Sequence, residues 1–127
     1  MANEINDAGR MKREDWDLEK RTLAFARKVR EFVKKLPRSI ANAEDIKQLV
    51  RSSGSIGANY IEANESMSKK DFVMRLKISR KEAKEARYWL ELIDCGANPT
   101  LVAECTQLSS EATEYLKILN AIITKSE

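Results

Sequence analysis

Eight lysines and arginines stand at spacings that suit phosphate contact. On one face of a predicted helix lie Lys70, Lys77, Arg80, Lys81 and Lys84, within about 100° of arc at 3.6 residues per turn. Lys20, Arg27 and Lys34 recur every seven residues on an earlier helix. Rows of cations can bind a phosphodiester backbone by charge, though such contacts carry no sequence information themselves. Only Tyr88 interleaves the larger row, so it does not read as a base-stacking platform. The competing reading is a solvated charged face that contacts nothing.

Acid–base and metal chemistry is poorly provided for. The chain has no histidine, which removes the usual general base near neutral pH and the commonest metal ligand. Glu62, Glu82 and Glu85 are the carboxylates that a carboxylate-based enzyme would use, but salt bridging is the simpler role for them. Cys95 and Cys105 do not make a disulfide framework, and both read as reduced thiols. Gly54 and Gly57 sit in the run GSIG, which lacks the preceding strand of a phosphate-cradling loop. The reading is a non-enzyme without a metal or other cofactor.

The elements that must carry these residues are helices. Of 127 residues, 34% are charged and 6% aromatic, with four glycines and two prolines, and the net charge is +3. That suits a single all-α domain. The N-terminal stretch has no apolar core of a signal peptide, and no run is long enough to span a bilayer. A cytoplasmic protein is expected. Residues 1–14 read as a frayed tail, and 15–127 as the domain.

Four helices are predicted, over about 16–36, 42–65, 69–95 and 99–124. The first has the stripe Leu18, Thr22, Phe25, Val29, Phe32 and Leu36 and stops before Pro37. The second takes Asn42 as N-cap, with Asp45 three residues on. Its stripe is Ile46, Leu49, Val50, Ser53, Ile56, Gly57, Tyr60 and Ile61. The third starts from a Ser68/Asp71 capping box, follows Phe72, Leu76, Ser79, Ala83, Ala86, Leu90 and Ile93, and stops at Gly96. The fourth opens with Asn98-Pro99 and follows Leu101, Cys105, Leu108, Ala112, Tyr115, Leu119 and Ile122. Short links and heptad spacing predict an antiparallel up-down four-helix bundle.

Two features exceed what a simple bundle needs. The segment Arg51–Ala63, RSSGSIGANYIEA, places Gly54, Gly57 and Ala58 inside a helix, each glycine at a cost of about 1 kcal/mol. Close approach of another backbone is the expected reason. Helix 3 also carries a second flank, Met74, Ile78, Trp89 and Leu92, with Glu82 and Glu85 among them. Val102, Leu116 and Ile123 on helix 4, and Ala26 and Val33 on helix 1, add further apolar rows. The readings are a wide core face or a subunit interface, and apolar surface on several flanks favours assembly.

RSSGSIGANYIEA (51–63), SKKDFVMRL (68–76) and KEAKEARYWLEL (81–92) resemble the bacterial "four helix bundle protein" family. Its members are encoded in intervening sequences of some large-subunit ribosomal RNA genes and were once labelled S23 ribosomal proteins. The resemblance implies a bundle assembling as a ring-like homopentamer. It also implies kinship with accessory proteins of diversity-generating retroelements, which engage reverse transcriptase and nucleic acid. The positions matching the family pattern are Arg51, Ser55, Asn59 and Glu62 on helix 2, and Glu82, Glu85 and Trp89 on helix 3. The sequence reading is therefore a homo-oligomeric, RNA- or nucleoprotein-binding scaffold. The alternative is a protein-interaction module whose basic faces only solubilise it.

Overall fold

The structure is a computed structural model that describes residues 13–127, with side chains from Leu18 onward. The expected tail lies outside the described residues except for its last two positions, which belong to the first helix. Four helices follow in order: α1 (Arg13–Val33), α2 (Ile40–Asn64), α3 (Lys69–Leu92) and α4 (Pro99–Ser126).

Contacts across each seam show the helix directions. Glu19 reaches Asn64 and Thr22 faces Gly57, so α1 and α2 are antiparallel. Arg51 meets Glu85 while Asn59 meets Arg75, which reverses α3 against α2. Arg80 meets Asn120 and Arg87 meets Thr113 across α3 and α4. Arg21–Glu114 and Lys35–Glu104 close the ring between α1 and α4. The α2–α3 seam is the most extensive and the α1–α4 seam the thinnest. This is an all-α, up-down four-helix bundle.

The core is built from the heptad seams. Leu18, Phe25, Val29, Phe32 and Leu36 of α1 and its exit are buried, as are Leu76, Ala83, Ala86, Leu90 and Ile93 of α3 and its exit. Leu101, Leu108, Ala112, Tyr115 and Leu119 complete it from α4. Phe25 and Tyr115 pack edge-to-face with centroids 5.4 Å apart, a geometry favoured by the ring quadrupoles. Ser79 Oγ donates to Ile56 O at 2.7 Å, which satisfies a buried hydroxyl across the tight α2–α3 contact.

Several boundaries differ from expectation, each for a local reason. Helix α1 ends at Val33 because the chain tightens there: Lys35 N–H and Leu36 N–H turn back to Phe32 O and Val33 O. Helix α2 starts at Ile40, capped by Ser39, whose Oγ accepts the Asn42 amide at 3.0 Å. Asn42 is therefore not the cap. It is buried, and it ties two loops together. Its Nδ2 donates to Pro37 O and Asp94 O, both at 2.9 Å, while its Oδ1 accepts the Asp94 amide at 3.0 Å. That clamp ends α3 at Leu92, three residues before the expected end. Ile93 is the C-cap, and Gly96, with φ +66°, turns the loop beyond it. Ser68 and Asn98 cap α3 and α4 through their side-chain oxygens, and α4 runs two residues past the expected stop.

The extra apolar rows also resolve. Ile61 is 46% exposed and leaves the α2 stripe, while Asn42, Ser52 and Ala63 are buried along it. Ile123 and Ala26 are core residues, and Val33 packs against the core. They are not spare surface.

Candidate nucleic-acid interface

Geometry separates the two basic rows. Along α1, the cations face an acidic α4. Lys28 and Lys35 pair with Glu111 and Glu104 at 3.4 and 2.8 Å, and Arg21 pairs with Glu114. Arg27 lines the groove of about 920 Å³ between these helices together with Glu31, Glu104, Glu111 and Glu114. Lys34 pairs with Glu31 at 3.0 Å, and Lys20 is exposed. Positive potential is largely cancelled on this side.

The α3–α4 groove is different. It encloses about 610 Å³ and is lined by six cations: Lys77, Arg80, Lys81, Lys84, Arg87 and Lys117. No carboxylate is among its lining residues. Among the described residues, Lys77 is the one groove cation paired with a carboxylate, Glu127 at 3.0 Å beside the groove. The two arginines span the groove as parallel rungs. Arg80 Nη1 donates to Asn120 Oδ1 at 2.7 Å, and Arg87 Nη1 donates to Thr113 Oγ1 at 3.4 Å. Both donors and both acceptors are seven residues apart, so the rungs are about 10 Å apart along the bundle. Neutral acceptors orient each guanidinium and leave its charge uncompensated, which suits phosphate recognition. Lys70 is exposed two turns before Lys77 in the same row.

Of this site, Lys77, Arg80, Lys81 and Lys84 were legible as one face. Lys117, Thr113 and Asn120 were not grouped with them. The signal available was the seven-residue spacing shared by Arg80/Arg87 and Thr113/Asn120.

On the other flank of α3, the residues of the resemblance come together between α2 and α3. Arg51 Nη2 lies 2.7 Å from Glu85 Oε1 and 3.3 Å from the buried Glu82 Oε1. Asn59 Nδ2 donates to Ser55 O, Ser55 Oγ donates to Arg51 O, and Arg75 Nη1 donates to Asn59 Oδ1. Glu62 is exposed beside them. The two glutamates thus pair with a cation of the same chain. Beyond the network, Met74, Tyr88 and Leu92 are 46%, 56% and 52% exposed. Ile78 and Trp89 are half-buried, and the buried Trp89 Nε1 has no hydrogen-bond partner.

Of Gly54, Gly57 and Ala58, only Gly57 faces a crowded neighbour, and that neighbour is a side chain, with the closest backbone atom at 3.8 Å. A Cβ on Gly57 would lie 2.7 Å from Thr22 Oγ1. A Cβ on Gly54 would meet nothing closer than the Arg30 guanidinium at 3.6 Å, and Ala58 is exposed. The expectation of close packing at Gly54 and Ala58 is therefore corrected.

Residues 14–121, which span all four helices, match the family of 23S rRNA-intervening sequence proteins. The chain belongs to that family. A crystal structure of a protein of unknown function from the S23 ribosomal protein family of Bacteroides thetaiotaomicron is similar to it, with 32% sequence identity and a TM-score of 0.68. The match covers 83% of this chain and 96% of that one. Among functionally curated proteins, none matches. The family match thus agrees with the resemblance first carried by Arg51–Ala63 and KEAKEARYWLEL. Among the described residues no helix is long and apolar enough to cross a membrane.

Proposed function

We propose that this member of the 23S rRNA-intervening sequence protein family is a non-enzymatic scaffold that binds RNA through the α3–α4 groove. The observation that carries this reading is the lining: six cations with no carboxylate among them. Their contacts go to phosphates, so binding is sequence-tolerant and strongly salt-dependent. Affinity for a mixed-sequence RNA, measured against salt, tests it. The expected plot of log affinity against log salt is steep. Reversal of Lys77, Lys81 and Lys84 to Glu abolishes binding. No binding at low salt, or affinity indifferent to the reversal, refutes the proposal.

The scaffold is further proposed to self-associate, as a ring of five copies, through the outer α2–α3 flank. Exposed Met74 and Leu92 and the unpartnered Trp89 indole N–H support this reading, since buried donors are ordinarily satisfied. Trp89→Ala is expected to break the oligomer before it unfolds the protomer. A wild-type monomer by light scattering would end this part of the reading. The same flank supports a second reading, a module that docks other proteins and leaves RNA alone. A captured partner that survives nuclease treatment, from a chain that binds no RNA, favours it.

A further inference from the structure

The lining of the α3–α4 groove suits the backbone of a nucleic-acid strand and leaves its bases alone. Beside the six cations stand Thr113, Leu116 and Asn120, so every lining residue is basic, small and polar, or aliphatic. Tyr88 lies outside the lining, with its ring edge-to-face on Trp89 at 5.0 Å between centroids. Proteins that hold single strands by their bases stack them on aromatic rings. Arginine planes also stack on bases, but Arg80 and Arg87 are tied across the groove to Asn120 and Thr113. The other four cations are lysines, compact charges on flexible stems that grip a phosphate without fixing it.

The length of the basic row bears on what a bound strand does next. From the exposed Lys70 to Arg87 the row spans 17 residues, about 25 Å along α3. That matches about seven stacked nucleotides at ~3.4 Å each. Two complementary strands repel through their phosphates, and the repulsion is felt within a Debye length, about 10 Å at 0.1 M salt. A strand laid along this row has its charge offset over a stretch long enough to start a helix. Its bases face outward, held by no ring, and are free to pair.

We propose, on the RNA-binding reading above, that the α3–α4 groove anneals complementary RNA strands. It holds one strand by its phosphates, presents the bases, and removes the repulsion that slows the second strand. No covalent bond forms or breaks. The activity is sequence-tolerant, because pairing and not the protein selects the partner strand.

The test uses the full chain and two short complementary RNAs, one carrying a fluorophore and the other a quencher. Quenching reports annealing, and anisotropy of one labelled strand reports binding. The wild type is expected to raise the annealing rate about tenfold or more at low salt, with the gain fading as salt rises. Lys77, Lys81 and Lys84 are exposed, so their joint reversal to Glu is expected to abolish the gain in a folded chain. Lys117 is exposed on the α4 wall, and Lys117→Trp puts a ring into the groove. That variant is expected to bind a single strand at least as tightly as Lys117→Ala and to anneal several-fold more slowly. Equal annealing by these two variants refutes the free-base argument. Binding without acceleration overturns the annealing proposal and leaves the RNA-binding reading standing, whereas no binding at low salt overturns both. Acceleration that survives the triple reversal overturns the assignment to this groove.

Discussion

Gly54 and Gly57 are chemically identical, three residues apart, and on one helix, yet alanine should act on them with opposite sign. Replacing an interior helical glycine gains about 1 kcal/mol, chiefly by restricting the unfolded chain. At Gly54 the added methyl has ordinary room, with the nearest atom 3.6 Å away on a flexible arginine. Gly54→Ala should therefore stabilise by about 0.5–1 kcal/mol. At Gly57 the methyl would lie 2.7 Å from Thr22 Oγ1 and 3.1 Å from Thr22 Cβ. Thr22 is buried, and its hydroxyl donates to Leu18 O at 2.9 Å, so it has no free rotamer to retreat into. Overpacking of this kind costs about 1–3 kcal/mol, which exceeds the gain at most of that range. Gly57→Ala should destabilise by up to about 2 kcal/mol once both effects are combined. Thermal and urea unfolding measure both variants. A double-mutant cycle with Thr22→Ala isolates the contact, because that change removes the oxygen at 2.7 Å. The cycle should return a favourable coupling of about 1 kcal/mol or more. A Gly57→Ala protein stabilised like Gly54→Ala, or a cycle with no coupling to Thr22, would refute the close-approach argument.

Other outcomes follow from the same contacts. Asn42→Ala removes a buried side chain that makes three hydrogen bonds across two loops, and should cost about 2–4 kcal/mol by urea unfolding. Alkaline pH should destabilise the fold. Cys105 keeps its proton in the native state to about 12 against an ordinary 9.0, so stability is full below pH 9 and falls as pH rises toward 12. Burial and the Glu111 carboxylate also push the Tyr115 phenol above its ordinary value, so its contribution is likewise present below pH 10 and lost above it. Unfolding midpoints of wild type and Cys105→Ala across that window check the thiol part. Asn120→Asp places a carboxylate against Arg80, and should lower RNA affinity and flatten its salt slope by about one unit while leaving stability near wild type.

How much was readable in the sequence depended on whether the cause was periodic. Leu76, Ser79, Ala83, Ala86 and Leu90 repeat at helical spacing, and that face of α3 is the buried one. Capping by Ser68 and Asn98 was equally legible, because a cap acts within its own three residues. Asn42 was misplaced for the opposite reason. Its partners are Pro37 and Asp94, and the second is 52 residues away, so no local pattern distinguishes a loop clamp from an N-cap. The same distance hid the fate of the α1 cations. Lys28 and Lys35 meet α4 carboxylates 83 and 69 residues on, and nothing in their own helix shows that they are neutralised there. Gly54 and Gly57 looked alike because the residue that separates them, Thr22, belongs to another helix.

The two flanks of α3 have a consequence for function when taken together. The groove cations turn toward α4 and the Arg51–Glu85 network toward α2, so assembly through the second flank leaves every groove open. A ring would then offer one six-cation groove per copy to a single RNA, and the number of neutralised phosphates would rise with the number of copies. Each neutralised phosphate contributes about 0.7 to the salt slope for single strands, and about 0.9 for duplex DNA. An assembled protein should therefore show a slope well above that of one groove. The Trp89→Ala protomer should retain binding with a slope no greater than about four to five, the value for six cations at most. Salt titrations of both proteins on one long RNA decide the matter. Equal slopes would mean that the grooves act singly or that the α2–α3 flank does not join the copies. Loss of all binding in the folded variant would mean that the nucleic-acid site is built between copies and not within the α3–α4 groove.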